Sequence, residues 1–220
     1  PISDPILAGN NIYGLTDEVS LSWKSMAQYL ERLESASPAV NVITLVPNGQ
    51  LRLATIGMSE RPATVEEFSK MKYLLEAGIE EGAFGLSSGL EYPAEKTATE
   101  EELTALCRIV KRAGGIYATH TRKRDSGSAE AVEEAIRTAE NSGVRLQISH
   151  LLPRSAPDEC YQCVEVVDNA LARGNDIAFD MHTRLYGTTY LNTVIPPWAF
   201  KDGKESLIRL LGDTQARMRM

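Results

Sequence analysis

The most constraining feature of this sequence is a repeat in which short apolar runs alternate with amphipathic helical patterns. The runs recur at intervals of about 30 residues, and five of them predict strands, near residues 40–46, 83–88, 116–120, 144–150 and 176–182. Most lack the polar alternation of a half-exposed strand, which favours a parallel sheet buried on both faces. We therefore predict an α/β fold with about five parallel βα units. A complete eight-stranded barrel takes roughly 250 residues, so 220 residues fit either an open sheet or an incomplete barrel.

Capping residues and glycines mark the ends of the predicted helices. Thr64 and Thr99 each precede a helical pattern, with Glu67 and Glu102 three residues further on, as in a capping box. Further helices are predicted over about 22–33, 129–139, 158–173 and 204–211. The sequence Pro47-Asn48-Gly49 predicts a turn after the first strand.

Composition limits the partners and the compartment. The net charge of −7 and the pI near 5.1 argue against a nucleic-acid partner and against an anionic membrane surface. No apolar run approaches the roughly 18–20 residues that span a bilayer. Three cysteines do not suggest a disulfide framework, so a cytoplasmic location is the default. The chain begins at Pro1 without a signal segment, which leaves a lost leader open.

All three histidines, His120, His150 and His182, stand at or near the end of a predicted strand. Strand tips of this kind hold metals and catalysts in (β/α) barrels. His120 is in phase with Ala118, and His150 with Ile148, so both imidazoles meet above the core if these faces point into a barrel. Neutral imidazole suits zinc, which makes a metal-dependent hydrolase the first hypothesis. The alternative is that each histidine only caps a strand and bonds a loop.

Other candidate residues lie in the loops that follow the predicted strands. Ser88 and Tyr92 belong to an unusual loop that offers hydroxyls, a carboxylate and a phenol, unless it is a plain turn. Arg122 has the geometry to hold a substrate carboxylate, unless it is a solvated loop arginine. His182 and Arg184 fit a surface or substrate contact as well as a metal site. No serine-hydrolase elbow, Walker-type loop or dinucleotide loop occurs.

Carboxylates at two of the same strand ends add possible acid or base groups. Asp125 lies in the polar loop after His120, and Asp180 lies two residues before His182. The alternative for Asp180 is that it only anchors the interior of a barrel.

Four segments, taken in order, carry a family resemblance. Residues 82–93, 115–122, 147–151 and 195–199 resemble the D-aminoacylase group, the N-acyl-D-amino-acid deacylases of the amidohydrolase superfamily. The resemblance implies a partial (β/α)8 TIM barrel of the metal-dependent hydrolase type. Residues 1–220 would then be the central segment of a single barrel domain, approximately strands three to seven.

The resemblance also implies a cofactor and a reaction. His120 and His150 would bind one or two Zn²⁺ ions from barrel strands five and six, while Tyr92 contacts the substrate and Arg122 neighbours it. The implied reaction is hydrolysis of an N-acyl-D-amino acid, a small molecule, to a carboxylate and a D-amino acid by a zinc-activated water.

Several residues of the family pattern are not found in this sequence. The first-strand histidine pair, the second-strand cysteine and the eighth-strand catalytic aspartate lie outside these residues. Leu152 stands where the family has a lysine. We therefore expect the isolated chain to be inactive, and to form a homo-oligomer or to pair with the missing barrel segments.

Two other functions remain open. One is a related amidohydrolase acting on cyclic amides or isoaspartyl dipeptides, which Leu152 and the segment 182–184 leave possible. The other is a non-catalytic fragment whose histidines hold no metal.

Overall fold

Five short parallel strands form one sheet in the computed structural model, which describes residues 23–154, 156–182, 195–200 and 202–220. The strands are β1 (Val46–Pro47), β2 (Gly85–Gly89), β3 (Ile116–His120), β4 (Arg145–Ile148) and β5 (Ile177–Phe179). They lie side by side in chain order, and each neighbouring pair is parallel. A doubly wound sheet reverses its strand order at a switch point, whereas a barrel adds each strand beside the previous one. The topology therefore confirms the α/β prediction and favours the partial barrel over the open sheet.

Helices connect the strands, as parallel neighbours require. They are α1 (Met26–Ser35), α2 (Asn48–Thr55), α3 (Val65–Glu80), α4 (Glu100–Arg112), α5 (Ser128–Ser142), α6 (Pro157–Ala172), a 3-10 turn (Pro197–Phe200), α7 (Gly203–Gly212) and α8 (Thr214–Arg219). The predicted cap at Thr64 is confirmed as a full capping box with Glu67, and Thr99 accepts a hydrogen bond from the backbone N–H of Glu102. Within the described ranges, no helix has both the length and the apolar character needed to cross a bilayer.

The first strand is shorter than the sequence predicts. Only Val46–Pro47 is strand, and residues 40–45 have no regular structure, although Thr44 still accepts a hydrogen bond from Phe84 N–H at 2.8 Å. Among the described residues β1 pairs with β2 alone, so its outer edge has no ladder to hold it extended. The apolar residues Val40 and Ile43 beside this edge are accordingly 71% and 64% exposed. β-branched side chains favour a strand but cannot supply its partner.

The predicted turn at Pro47-Asn48-Gly49 is wrong, because α2 begins there. Pro47 lies just before the first helical residue with an extended backbone, and a proline near a helix start loses no hydrogen bond. The Asn48 side chain is fully buried and donates to Glu95 Oε2 at 2.8 Å. A solvated turn would have left this amide in water.

The core lies between the sheet and the helices. Leu86, Tyr117 and Leu146 are register partners on neighbouring strands, and all are at most 3% exposed. They belong to one cluster with helix residues such as Leu106 and Val132. Each large apolar side chain buried in this way contributes about 1.5–3 kcal/mol. The alternate residues of these strands face the opposite side of the sheet. The histidines lie at the C-terminal edge of the sheet.

Candidate functional site

The side chains of His120 and His150 meet at the C-terminal edge of the sheet. His120 is the last residue of β3, and His150 follows β4 by two residues. His120 Nδ1 lies 3.1 Å from His150 Nε2, and the two rings are nearly perpendicular, at 78°. Two nitrogens that share one tetrahedral zinc ion lie about 3.3–3.4 Å apart. The observed 3.1 Å is close to this spacing, and it is also the length of a hydrogen bond between the two rings.

The two histidines alone do not complete a metal site. Among the described residues, no group of three or more His, Cys, Asp or Glu side chains is arranged to hold an ion. A four-coordinate zinc site with a catalytic role takes three protein ligands and leaves one open position. At least one further ligand would thus have to join the pair.

His150 reaches His120 by a route that the sequence pattern does not predict. The register pairs Ala118 with Gln147 and Thr119 with Ile148, so strict alternation would place His120 and His150 on opposite faces of the sheet. Ile148 is fully buried in the core cluster with the helix residues. The prediction that Ile148 and His150 together face the barrel interior is therefore wrong for Ile148.

A left-handed backbone turn at His150 resolves this conflict. β4 ends at Ile148, and His150 has a φ of +41°, one of two positive values among the described non-glycine residues. This conformation breaks the alternation and brings the imidazole towards His120. Non-glycine residues with positive φ are uncommon in proteins as a whole, and those that occur tend to cluster at functional sites.

Glu91 holds the other side of the His120 ring. Its Oε2 lies 2.8 Å from His120 Nε2, while its Oε1 pairs with Arg154. Burial would raise the pKa of Glu91, but the hydrogen bonds from His120 and Arg154 outweigh it and lower the pKa to about 2. A carboxylate that accepts from Nε2–H leaves the lone pair of His120 on Nδ1, the nitrogen that faces His150.

His150 is held in its neutral form at pH 7. Burial, then the positive charge of Arg124 and the neighbouring His120, lower the pKa of His150 to about 4. A neutral imidazole is the form that binds a metal. The Nδ1 of His150 is buried, and it has no hydrogen-bond partner among the described residues.

Two further predicted site residues lie against this pair. The Tyr92 ring is centred 4.9 Å from the ring of His120, and the His182 ring stacks on His150 at 5.5 Å with an interplanar angle of 17°. Four predicted residues are therefore brought together at one edge of the sheet. Arg184 lies outside the described residues.

Ser88 points into the fold rather than along the site edge. Its hydroxyl hydrogen-bonds Tyr117 Oη at 2.7 Å and Thr119 Oγ1 at 2.9 Å, and all three residues are buried. Burial raises the pKa of Tyr117, which stays a phenol. The substrate contact of Ser88 remains a prediction.

The Arg122 guanidinium is occupied within the protein. It donates to Glu134 at 2.7 and 2.9 Å and to the carbonyl oxygens of Lys96 and Ala98 at 2.6 and 2.8 Å. These contacts fasten α5 to the loop after β2. The Arg122 guanidinium, which the sequence analysis assigned to a substrate carboxylate, binds the carboxylate of Glu134 instead. Its contact with substrate stays a prediction.

Sequence reasoning did not single out Glu91, although it noted a carboxylate in this loop. The buried Arg52 stabilises this loop, residues 90–98, by donating to the carbonyl of Ala94 at 2.8 Å. Arg52 also donates to Glu102, outside the loop, at 2.5 Å. Glu95, buried in the same loop, accepts from Asn48. The available signal for Glu91 was its position next to Tyr92, two residues beyond the end of β2.

Comparisons with known proteins show what this chain is similar to. No protein-family model matches the chain. It is 33% identical to a D-aminoacylase from Alcaligenes xylosoxydans xylosoxydans over 174 residues, which are 78% of this chain and 36% of that protein. It is 37% identical to an N-acyl-D-aspartate deacylase from the same organism over 123 residues, 56% of this chain and 25% of that protein. The chain thus spans about a third or less of these relatives.

Solved structures give the same match. A D-aminoacylase described as defining a novel subset of amidohydrolases superposes with a TM-score of 0.69 at 31% identity, over 75% of this chain and 35% of that one. A second D-aminoacylase structure, at 30% identity and the same TM-score over the same shares, concerns a binuclear metal centre with one-metal activation and second-metal attenuation. An N-acyl-D-glutamate deacylase from Bordetella bronchiseptica, complexed with zinc and a phosphonate inhibitor, gives 0.70 at 27% identity, over 76% and 35%. In sequence and in fold, this stretch of chain is similar to part of the D-aminoacylases and N-acyl-D-amino-acid deacylases.

Proposed function

We propose that the chain supplies part of the active site of a metal-dependent amidohydrolase, which hydrolyses the amide bond of N-acyl-D-amino acids to a carboxylate and a D-amino acid. The observation that carries this proposal is the 3.1 Å approach of His120 Nδ1 to His150 Nε2 at the ends of adjacent strands. The names of the relatives, a D-aminoacylase and an N-acyl-D-aspartate deacylase, support the substrate class.

Zinc is the metal that we assign to the pair, as one or two ions. Imidazole nitrogens suit zinc, and the N-acyl-D-glutamate deacylase was solved with zinc bound. When bound, the metal supplies Lewis acidity for attack on the amide carbonyl. In this site His120 and His150 would bind the metal, and Glu91 fixes the tautomer of His120 through Nε2. Arg154 keeps Glu91 ionised.

The substrate contacts are assigned to the residues around this pair. Tyr92 and His182 lie against the two rings, which supports a place beside a bound N-acyl amino acid. Arg122, Ser88 and Arg184 remain further candidates. No general acid or base is assigned, since the family's aspartate is not among these residues.

The setting of the site is also proposed. We assign the chain to the central segment, about strands three to seven, of a single barrel domain. The uncovered edge at Val40 and Ile43 supports pairing with other barrel segments or with a second copy. All three cysteines are free, which fits a cytoplasmic location.

Metal binding tests the proposal directly. Metal-free protein in which the barrel is complete is titrated with zinc in a calorimeter, and the loaded protein is measured by elemental analysis. We expect about one zinc ion per chain, with binding lost in His120→Ala and in His150→Ala. His182→Ala is the matched control, because it removes an imidazole that stacks on the site but leaves both ligand nitrogens in place. Absence of zinc after reconstitution would favour the non-catalytic alternative.

Activity separates the proposed substrate from the alternatives. N-acetyl-D-amino acids, their L-enantiomers, dihydropyrimidines and isoaspartyl dipeptides are compared with zinc-loaded protein in which the barrel is complete. We expect release of the free D-amino acid and no reaction with the other three classes. Faster turnover of a cyclic amide or an isoaspartyl dipeptide would overturn the assigned substrate class while leaving the metal pair standing.

A further inference from the structure

The turn that directs His150 towards His120 is closed by a carboxylate that follows the neighbouring strand, β5. We infer that Asp180, the residue after β5, is a positioning residue that aims the His150 imidazole and so sets the affinity of the metal site. The inference rests on the proposed metal site, and it adds a residue that would act on the metal only through another side chain.

Asp180 is bonded to the chain on both sides of the turn. Its N–H donates to Ile148 O at 3.1 Å, before the turn, and its carbonyl accepts from Leu151 N–H at 2.8 Å, after it. Its side-chain Oδ1 accepts the N–H of His150 itself at 2.7 Å. The second oxygen, Oδ2, accepts from Gln147 Nε2 at 2.9 Å, which fixes the carboxylate orientation. One residue thus bonds to four positions from 147 to 151.

The left-handed conformation of His150 needs such support. Its φ of +41° is unfavourable for a residue with a β-carbon, and such conformations persist where the surroundings hold them. The N–H of His150 points to Asp180 in this conformation. Leu151 N–H, on the far side of the His150 φ and ψ angles, donates to the Asp180 carbonyl, so the two bonds to one residue together hold the turn. The Asp180 side chain is exposed, but its two backbone hydrogen bonds keep it beside the turn.

Loss of the turn would separate the two imidazoles. With regular alternation, the side chain two residues after Ile148 would point to the same face as Ile148, which lies in the core with the helices. His120 is on the opposite phase. The contact between His120 Nδ1 and His150 Nε2 therefore depends on the conformation that Asp180 holds.

These contacts also decide between the roles that the sequence left open for Asp180. Both of its carboxylate oxygens are engaged as acceptors, which fits an anchoring group rather than an acid or base. Its test accordingly concerns metal affinity and ring geometry, not proton transfer.

Three variants of the zinc-loaded chain test the role. Asp180→Leu removes both acceptors but keeps the branching at Cγ, and we expect zinc affinity to fall by about tenfold to hundredfold. Asp180→Asn keeps an acceptor oxygen for the His150 N–H, and Gln147 can rotate its amide to accept from the new NH₂ group, so we expect affinity close to that of wild type. Asp168→Leu is the matched control, since Asp168 is an exposed carboxylate on α6, and we expect no change.

A metal-free measurement distinguishes positioning from general stability. In chain labelled at histidine, the protons of the His120 and His150 rings should show a nuclear Overhauser effect in wild type and in Asp180→Asn. The effect should vanish in Asp180→Leu while the circular dichroism spectrum is retained. Should Asp180→Leu not fold, Asp180→Glu displaces the acceptor oxygens by one methylene, and the same two losses are expected.

The outcomes separate the two proposals. If wild type binds no zinc, the proposed metal site fails, and the ring contact still tests the positioning role. If wild type binds zinc and Asp180→Leu keeps both the affinity and the ring contact, the role of Asp180 is overturned. Equal losses in the leucine and asparagine variants would also overturn it, because they would trace the effect to charge rather than to the hydrogen bond.

Discussion

Replacing Arg52 by methionine tests how the loop that carries Glu91 and Tyr92 is held. Arg52 is fully buried on α2. Its guanidinium donates to four acceptors, namely Glu102 Oε1 at 2.5 Å, Ala94 O at 2.8 Å, Arg61 O at 2.8 Å and Thr97 Oγ1 at 2.8 Å. Two of these acceptors belong to the loop 90–98. Methionine preserves most of the volume of the aliphatic stem but none of these donors.

The expected loss is large because the variant leaves a buried carboxylate without its partner. The side chains of Arg52 and Glu102 are 1% and 8% exposed, and truncating one member of such a pair costs about 3–5 kcal/mol. For a domain of this size each kcal/mol lowers the Tm by about 2–4 °C. We therefore expect a decrease in Tm of roughly 6–20 °C.

Arg137, on α5, supplies a matched control. It pairs with Glu100 at 3.0 Å, but its side chain is 50% exposed. A solvent-exposed pair of this kind contributes about 0.2–1 kcal/mol, so Arg137→Met should shift the Tm by only a few degrees. The double variant Arg52→Met/Glu102→Leu should recover part of the loss, because no buried charge is then left unpaired.

Urea unfolding followed by circular dichroism gives the free energies, and zinc titration reports on the site. We expect Arg52→Met to weaken zinc binding as well, since the Glu91 that orients His120 lies on the released loop. Equal destabilisation by Arg52→Met and Arg137→Met would refute the argument from burial. Full zinc affinity in a folded Arg52→Met would refute the link between the buried guanidinium and the site.

Two further predictions concern other buried groups. Burial raises the pKa of Glu95 above its ordinary value of 4.5, so its stabilising contribution is present below that pH and is lost as the pH rises through the folded-state pKa. Glu95→Gln should therefore raise the Tm more at pH 8 than at pH 4, and the reverse order would contradict the assignment. Cys107 and Cys163 are fully buried, with burial raising the pKa of both thiols (to about 11 for Cys163), whereas Cys160 is half-buried. Ellman's reagent should thus titrate one thiol per native chain, and three rapid reactions before unfolding would show this wrong.

The order of strands and helices follows from the sequence, while the extent of the strands does not. Thr64 and Thr99 cap their helices through bonds within four residues of chain, so local pattern suffices to place these ends. Residues 40–45 have the composition of a strand but lie outside one. Strand formation there needs a hydrogen-bonding partner from another part of a sheet, which composition does not specify.

The convergence of His120 and His150 was predicted by an argument that holds for only one of them. His120 follows the alternation of β3, and a count of two identifies its face. His150 depends on a turn whose hydrogen-bond acceptor, Asp180, lies 30 residues away in the chain. Periodicity does not predict such a contact, so the meeting of the two imidazoles was predicted without its structural cause.

The roles of the arginines do not follow from the sequence, because of the chemistry of their side chains. A guanidinium offers five donors in a planar fork, which suits a substrate carboxylate, an internal carboxylate or a group of carbonyl oxygens equally well. Arg122 stood in a charged loop after a strand end and binds Glu134, twelve residues further on. Arg52 lies within an ordinary helical pattern and anchors the loop of the site. A histidine at the end of a strand has few possible roles, so its position favours one of them. The role of an arginine follows only from the acceptors that the fold brings to it.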